Sequence, residues 1–442
     1  MIIEAIENFV KLFLEQIKNP IQVISHFDTD GITSAAIMSK TLERLNKQFS
    51  IKIIKQLNQE EIDKFPENKT ILLLDLGSGS IESLALTNKK IFIIDHHEIY
   101  NKNIPFNISI INPHLLEEYE ELCTAELTYL FSKSVSKENS SLSHLAIIGM
   151  IGDTMEKEIN KTREKIIREA EVKIKKGLLI YPSTRPLDKS LEYSPRPFIP
   201  GVTGNAKGTY ELLKEAGIEK KDKNFKSLID LDEKEMKRLT TSIMLRLSSK
   251  EYKDYIGNLY LIKFFNKIED AREISAIINA CSRMGKSEIS LMLCLGNSNA
   301  KKKAERLYVK YRQHIISGLK LIEQNEKIQG RDYVIINTRD KVKDKIIGTI
   351  TSILSFSQIY KEGTIIIAMA YNEDKIKVSA RLAGRNPKPT QNLKEIIDSI
   401  ACLVNGESGG HKKAAGCTIK KEYEEKFIDL IKRKFEFEVI KV

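Results

Sequence analysis

Four apolar residues, Ile91-Phe92-Ile93-Ile94, stop abruptly at Asp95-His96-His97. A short unbroken apolar run reads as a strand covered on both faces, the form strands take in parallel sheets. Polar groups directly after such a strand lie at the edge where open α/β sheets gather their ligand and catalytic groups. The chain has 7 histidines in 442 residues, and two of them stand together here. Three more apolar stretches end in the same way: 21–25 runs into His26-Phe27-Asp28-Thr29-Asp30-Gly31, 71–74 into Asp75, and 142–151 into Gly152-Asp153. A buried acid costs several kcal/mol unless it is paired or holds a cation. Four such endings constrain the fold more than any compositional feature does.

Around them the chain alternates strand and helix. Residues 1–18 carry Ile3, Ile6, Val10, Phe13, Leu14 and Ile17 at helical spacing, and Asn19-Pro20 ends the helix. If the segment after the strand at 21–25 stays extended, the period of two puts His26, Asp28 and Asp30 on one face. The alternative is an acidic turn capping a helix predicted over 33–45. Strands follow at 51–55, 70–77 and 91–95, the spacing of a doubly wound, mostly parallel sheet. Helices are predicted at 123–131 and 142–151, the second one buried, with Gly149 and Gly152 allowing close backbone approach. Residues 156–176 are densely charged and predict a solvated connecting helix.

Residues 181–204 hold five of the 11 prolines together with Arg185 and Arg196. Such a stretch suits a rigid cleft wall where a guanidinium meets phosphate, or an ordinary connector. Residues 205 to 330 are mostly helical in pattern. From 331 onward a second, smaller α/β domain is expected, with strands at 333–336, 364–370 and 376–380 and helices at 346–356 and 393–403. It ends in Ser408-Gly409-Gly410-His411-Lys412-Lys413-Ala414-Ala415-Gly416. Its glycines let a backbone loop approach a ligand, and glycine-rich turns at helix starts bind phosphate. Arg381 and the lysines add cationic groups.

Composition narrows the class. The 71 Lys+Arg against 60 Asp+Glu give +11, consistent with a polyanionic partner or with a lysine-rich surface. The 5 cysteines form no C-x-x-C pair, which argues for a reducing, cytoplasmic setting and against a thiolate metal site. No apolar run approaches the ~20 residues that span a bilayer, so no membrane association is expected.

Taken together, His26, Asp28, Asp30, Asp75, Asp95, His96, His97 and Asp153 place five carboxylates and three imidazoles at strand and helix ends. Two carboxylates 4 Å apart repel by about 4 kcal/mol at an effective dielectric of ~20. Cations between them relieve that repulsion. Oxygen and imidazole donors without thiolate suit Mn²⁺ or Mg²⁺, with zinc a third choice. The set is large enough for two ions sharing a bridging acid. The chemistry of such a pair is metal-assisted hydrolysis of a phosphoester.

The order His-x-Asp-x-Asp-Gly (26–31), apolar-Asp (75), Asp-His-His (95–97) and Gly-Asp (152–153) resembles the DHH phosphoesterase superfamily. The element at 408–416 resembles the signature of its associated C-terminal domain, with Ser408 where many relatives have a third glycine. Within the superfamily the chain looks most like archaeal RecJ-like exonucleases, including the GINS-associated nuclease. The resemblance implies a catalytic domain over 1–180, a connector and helical middle region over 181–330, and a substrate-binding domain over 331–442, with a cleft between the two α/β domains. It implies a single-strand-specific exonuclease on DNA, RNA or both, acting in replication or repair and using two Mn²⁺ or Mg²⁺ ions. His26, Asp28, Asp30, Asp75, His96 and Asp153 are then the metal ligands, with Asp75 as the bridge. Asp95 would orient His96, and His97 would meet the scissile phosphate or its water. Arg381, Gly409, Gly410 and His411 would hold the substrate's phosphate. Two competing expectations are an oligoribonuclease or pAp-type phosphatase, and a replisome scaffold that binds GINS through residues 205–330.

Overall fold

The computed structural model describes residues 2–17, 19–99, 101–194, 197–221, 224–247, 255–357, 359–384 and 392–437. Arg196 of the proline-rich stretch lies outside the described residues. The chain forms two compact units, each discontinuous in sequence: Met1–Thr184 with Ile256–Tyr308, and Arg185–Tyr255 with Val309–Val442. Among the described residues no helix is long and apolar enough to cross a membrane.

The first unit opens with α1 (Ile2–Gln16), β1 (Ile21–His26), α2 (Thr29–Arg44), β2 (Phe49–Ile54), α3 (Gln59–Asp63), β3 (Thr70–Leu74), α4 (Ile81–Ala85), β4 (Ile91–Ile94) and β5 (Ile108–Ile111). These five strands form one all-parallel sheet in the order β2-β1-β3-β4-β5. Every residue of β3 and β4 is buried, as the unbroken apolar runs require of strands covered on both faces. On one face α1 sets Phe9 and Phe13 edge-on against Phe92 and Phe131, with ring centroids 5.0–5.9 Å apart. Strand β2 flanks β1 on one side and β3 on the other, so the strand order reverses beside β1. Such a reversal opens a crevice at the C-terminal strand ends.

The unit continues through α5 (Thr124–Val135), α6 (Ser143–Gly152), α7 (Lys161–Glu169) and β6 (Lys173–Leu178). The single charged helix expected over 156–176 is therefore a shorter helix followed by a strand. Strand β6 is an edge strand, where lysines in solvent are at home and blunt further pairing. That is why its sequence does not look like a strand.

Next come α8 (Leu187–Glu192), α9 (Ala206–Glu215), the two-residue strands β7 (Lys220–Lys221) and β8 (Asn224–Phe225), and α10 (Glu233–Leu247), all of the second unit. The chain then returns to the first unit with β9 (Ile256–Phe264), β10 (Lys267–Asp270), α11 (Ala271–Arg283), α12 (Ser287–Cys294) and the start of α13 (Ser298–Gln324). Strands β10, β9 and β6 make an antiparallel sheet inside a region whose pattern reads as helical. The apolar core of β9 is only Leu259 to Ile262, too short for periodicity to separate strand from helix.

The second unit holds β11 (Ile328–Gln329), β12 (Tyr333–Asn337), α14 (Asp344–Phe356), β13 (Ile365–Asn372), β14 (Lys375–Leu382), α15 (Leu393–Cys402), β15 (Glu407–His411), β16 (Ala414–Lys420) and α16 (Glu424–Phe437). Its sheet runs β11-β12-β13-β14-β16-β15, with β12 and β13 parallel and the other pairs antiparallel. Side chains such as Ile367, Met369, Val378, Ile397 and Phe427 form its core.

One local expectation changes. Gly409, Gly410 and His411 lie in the outermost strand β15, not in a loop at a helix start. The alternating burial of β16 gives β15 a ladder to join. Gly410 has φ +139°, and a Cβ on it would come within 2.4 Å of the Ala414 carbonyl oxygen. Glycine is the residue that permits this pairing.

Candidate metal centre

Parallel strands end at the same edge of a sheet, so His26 at the end of β1, Asp75 after β3, and Asp95, His96 and His97 after β4 come together. Asp28 and Asp30 do not arrive by extended alternation. Asp28 is the N-cap of α2, where its carboxylate accepts the Gly31 N–H at 3.0 Å, and Asp30 sits in the first helical turn. The capping alternative therefore holds, and the helix starts at Thr29 rather than at residue 33. A Cβ on Gly31 would lie 2.3 Å from the His26 carbonyl oxygen, so the glycine lets the strand fold straight into the helix. Asp75 adopts φ +60°, an uncommon backbone state for a residue with a side chain. Asp153 caps the C-terminal end of α6.

The His26 Nδ1 lies 3.0 Å from an Asp28 oxygen and 3.1 Å from an Asp75 oxygen. The His96 Nε2 lies 3.0 Å from Asp153, 3.5 Å from Asp75 and 3.9 Å from Asp30. Three trios of donor atoms each fall within 4.8 Å: His26, Asp28 and Asp75; Asp75, His96 and His97; Asp30, His96 and Asp153. Asp75 belongs to two of them, and so does His96. Neighbouring donors on an octahedral ion with ~2.1 Å bonds are about 3.0 Å apart. The donor types and spacings therefore fit Mg²⁺ or Mn²⁺.

Asp95 differs from its expected part. Its carboxylate accepts the His97 ring Nδ1–H at 2.7 Å and backbone N–H groups of Ser78 and His96 at 2.9 and 2.8 Å. It orients His97, not the His96 ring. The chain turns back on the carboxylate after β4, with the His97 backbone N–H also donating to Asp95 at 3.3 Å, and this turn brings the His97 ring to it. Among the trio members, His97 is the most open to solvent, its side chain being 54% exposed.

The electrostatics record the crowding. Burial and then repulsion from Asp153 push Asp30 up to about 7. Burial and then the charges of Asp28 and Asp30 raise Asp75 well above the carboxylate range. Burial opposes ionisation of Asp28 and Asp95 as well, but the partners His26 and His97 hold each of them near 2. Burial works against a charged His96, yet its hydrogen bond to Asp153 and the nearby carboxylates lift it to about 9. The Asp95 hydrogen bond leads in raising His97. A divalent cation at these donors would compete with their protons.

Sequence reasoning missed the donors behind Asp30. Its two carboxylate oxygens accept the backbone N–H groups of Thr124 and Ala125, both at 2.8 Å, at the N-terminus of α5. The Thr124 hydroxyl donates to Asp75 at 3.1 Å. Helix N-termini favour carboxylates, and Cys123-Thr124-Ala125-Glu126 carried the signal of a helix start. Gly149 lets α6 close on this corner, since a Cβ there would meet Ala125 at 2.3 Å and Asp30 at 2.9 Å.

Behind the corner stands Arg163, with no exposed surface. It pairs with buried Glu126, the capping acid of α5, at 2.8 Å through both Nε and Nη2. It also donates to the carbonyls of Met155 (3.1 Å), Glu121 (2.8 Å) and Glu158. One guanidinium thus ties the α5 start to the loop after Asp153. Removing it leaves a buried carboxylate unpaired, which typically costs 3–5 kcal/mol. The expected result for Arg163→Met is a loss of about that size in urea unfolding, partly recovered by adding Glu126→Leu.

The comparisons with known proteins agree with this architecture. The model of the DHH family, N-terminal domain, matches residues 20–152; that of the DHH-CID domain matches 180–257; that of the DHHA1 domain matches 331–436. An uncharacterized protein of Methanocaldococcus jannaschii is 29% identical over 443 aligned residues, covering 96% of each chain. Among solved structures, exonuclease RecJ bound to manganese aligns with 99% of this chain and 97% of its own, at TM-score 0.64 and 17% identity. CDC45 from Entamoeba histolytica aligns with 98% of this chain and 97% of its own, at TM-score 0.68 and 13% identity. At such identities these two show the shared fold. With the three domain matches in order along the sequence, the chain belongs to the DHH superfamily and shares the fold of RecJ.

Proposed function

We propose that the protein is a metal-dependent exonuclease that hydrolyses single-stranded DNA or RNA to nucleoside monophosphates, using two divalent ions, Mn²⁺ or Mg²⁺. The observation that carries this reading is the position of Asp75: it belongs to the donor trio with His26 and Asp28, and its other oxygen lies 3.5 Å from the His96 Nε2, a member of the trio with Asp30 and Asp153. His26, Asp28 and Asp75 would hold one ion, and Asp30, Asp75, His96 and Asp153 the other. Divalent ions at such a centre supply an activated water at neutral pH and neutralise charge on the phosphoryl oxygens.

The chain's own groups do the rest. Asp95 keeps His97 in one orientation and favours its imidazolium form. A cationic N–H with access to solvent can bind a phosphoryl oxygen and give a proton to the leaving oxygen. His97→Ala is expected to lower kcat by about 10²-fold. The same variant should keep the rise in melting temperature that Mn²⁺ produces, since each proposed ion retains its other donors.

Arg381, Gly409, Gly410 and His411 are proposed to hold the substrate strand. Arg381 on β14 pairs in register with Ala414 on β16, which pairs with His411 on β15. The three positions form one row across the sheet, beside exposed glycines on its edge strand, and a sheet edge can take an anion. We place the surface for a GINS-containing helicase complex on residues 205–330. Deletions there should abolish co-purification.

The deciding assay is an end-labelled 20-mer of DNA or RNA with Mn²⁺, its products followed over time. Successive loss of single nucleotides supports the reading, and an unchanged strand at every metal concentration refutes it. The rate on a dinucleotide relative to the 20-mer separates it from an oligoribonuclease or pAp-type phosphatase. The competing scaffold reading expects binding without hydrolysis. The complete acid set weighs against it.

A further inference from the structure

Two large apolar side chains of the first unit stand fully out in solvent: Phe106 at 103% and Leu86 at 87% exposure. Both sit on turns. Phe106 follows Pro105 in a turn closed by the Ile108 N–H donating to the Pro105 carbonyl at 3.0 Å. Leu86 is the C-cap of α4, where the Thr87 N–H donates to the Leu84 carbonyl at 3.1 Å. Asn107 braces one turn against the other. Its side-chain amide donates to the carbonyls of Thr87 at 2.9 Å, Lys89 at 3.3 Å and Leu84 at 3.4 Å. Its backbone carbonyl accepts the Ile91 N–H at 3.0 Å.

Turn tips ordinarily carry Gly, Asn, Asp, Ser or Pro. A phenylalanine and a leucine held out on cross-braced turns instead make a rigid apolar ridge. The rim of that ridge is basic. Residues 82–90 and 99–107 contain Lys89, Lys90 and Lys102 against one acid, Glu82. None of these three lysines forms an ion pair among the described residues. The turns precede β4 and β5, at the N-terminal ends of the parallel strands, while Asp75 and Asp95–His97 follow the C-terminal ends. A molecule on the ridge would leave the metal centre open.

We propose that Leu86 and Phe106 dock a protein partner that presents an apolar pocket with an acidic rim. Charge complementarity selects this occupant. A second copy of the chain would bring like-charged rims together. A nucleic-acid strand would engage the lysines but grips through stacking on aromatic faces, and Leu86 has none. Neither turn tip contributes to the core, so the ridge is separable from the fold and from the hydrolytic reading.

The test is a photo-crosslinking residue, p-benzoylphenylalanine, placed at position 106 of the full chain in native cells. Cross-links are expected to converge on one protein, at a surface where acids surround apolar side chains. Purified, that protein should bind the L86S/F106S variant and the K89E/K90E/K102E variant at least tenfold more weakly than the parent. Reversing the partner's acids to lysine should restore binding to the K89E/K90E/K102E variant. Both variants should keep the parent's melting temperature. Cross-links to nucleic acid, to lipid or to a second copy of the chain overturn the proposal. So do cross-links scattered over many proteins, or a purified pair whose affinity neither variant changes.

Discussion

Asp75→Asn is expected to abolish hydrolysis, by at least ~1,000-fold or about 4 kcal/mol of barrier, while the fold persists. Asparagine keeps the size and can still accept from the Thr124 hydroxyl, but it lacks the second anionic oxygen that the proposed metal centre would need. The native carboxyl already lies well above its ordinary range because burial and its acidic neighbours disfavour its charge. The metal-free variant should therefore melt no lower than the parent. What it should lose is the response to metal. At a Mn²⁺ concentration 100 times Kd, the parent gains about 2.7 kcal/mol, and the variant should gain a small part of that. Near-normal hydrolysis by this variant would remove Asp75 from the mechanism. A metal-free variant that is unfolded would show that the carboxylate is structural.

The second large effect is the pH dependence of metal binding, and its sign follows from the raised values of Asp30 and His96. Asp30 has a folded value of about 7 against an ordinary 3.8, and His96 about 9 against 6.5. Each binds its proton more tightly when folded. The stability this contributes is complete below the unfolded value and disappears as pH rises through the folded one. The metal-free chain should thus weaken between about pH 4 and 7 through Asp30, and between about 6.5 and 9 through His96. Asp28 and Asp95, held near 2, act oppositely and cost stability as pH falls from about 4 to 2. A divalent ion must displace the Asp30 and His96 protons, so its apparent affinity should climb with pH, about tenfold per unit for each proton released. Titration calorimetry with Mn²⁺ at pH 6 and pH 8, in buffers of different ionisation enthalpy, reads both the affinity and the protons released. Equal affinity at the two pH values, with no proton release, would contradict this account of the centre.

How much of the centre could be read in advance depends on the element. His26, Asp75, Asp95, His96 and His97 were legible because each follows an apolar run, and a parallel sheet puts all such ends at one edge. Asp153 was legible in the same way, at the end of a buried helix. The route taken by Asp28 and Asp30 was not. A six-residue stretch containing both acids and Gly31 is compatible with extended chain and with a helix cap, and the His26 contact and the α5 N-terminus choose between them. Thr124 and Ala125 escaped because their contribution is backbone N–H, which no side chain advertises. Arg163 looked like one more charge in a solvated stretch, yet it is buried against Glu126.

The same contrast holds for the whole chain. Residue order alone determined that parallel strands end in acids and imidazoles, because local hydrophobic pattern selects strand, and strand direction selects the edge at which its last residue appears. It equally determined that a second sheet forms after residue 330, from the apolar runs at 333–336, 364–370 and 376–380. Tertiary structure decided the pairing of Asp95 with His97, the return of β9 through α12 to the first unit, and the strand conformation of Lys173–Leu178 and Glu407–His411. Those outcomes rest on contacts that range from two positions apart, for Asp95 and His97, to 246 apart, for Thr29 and Ser275, and short polar or ambiguous segments have no local preference strong enough to foretell which partner they will meet.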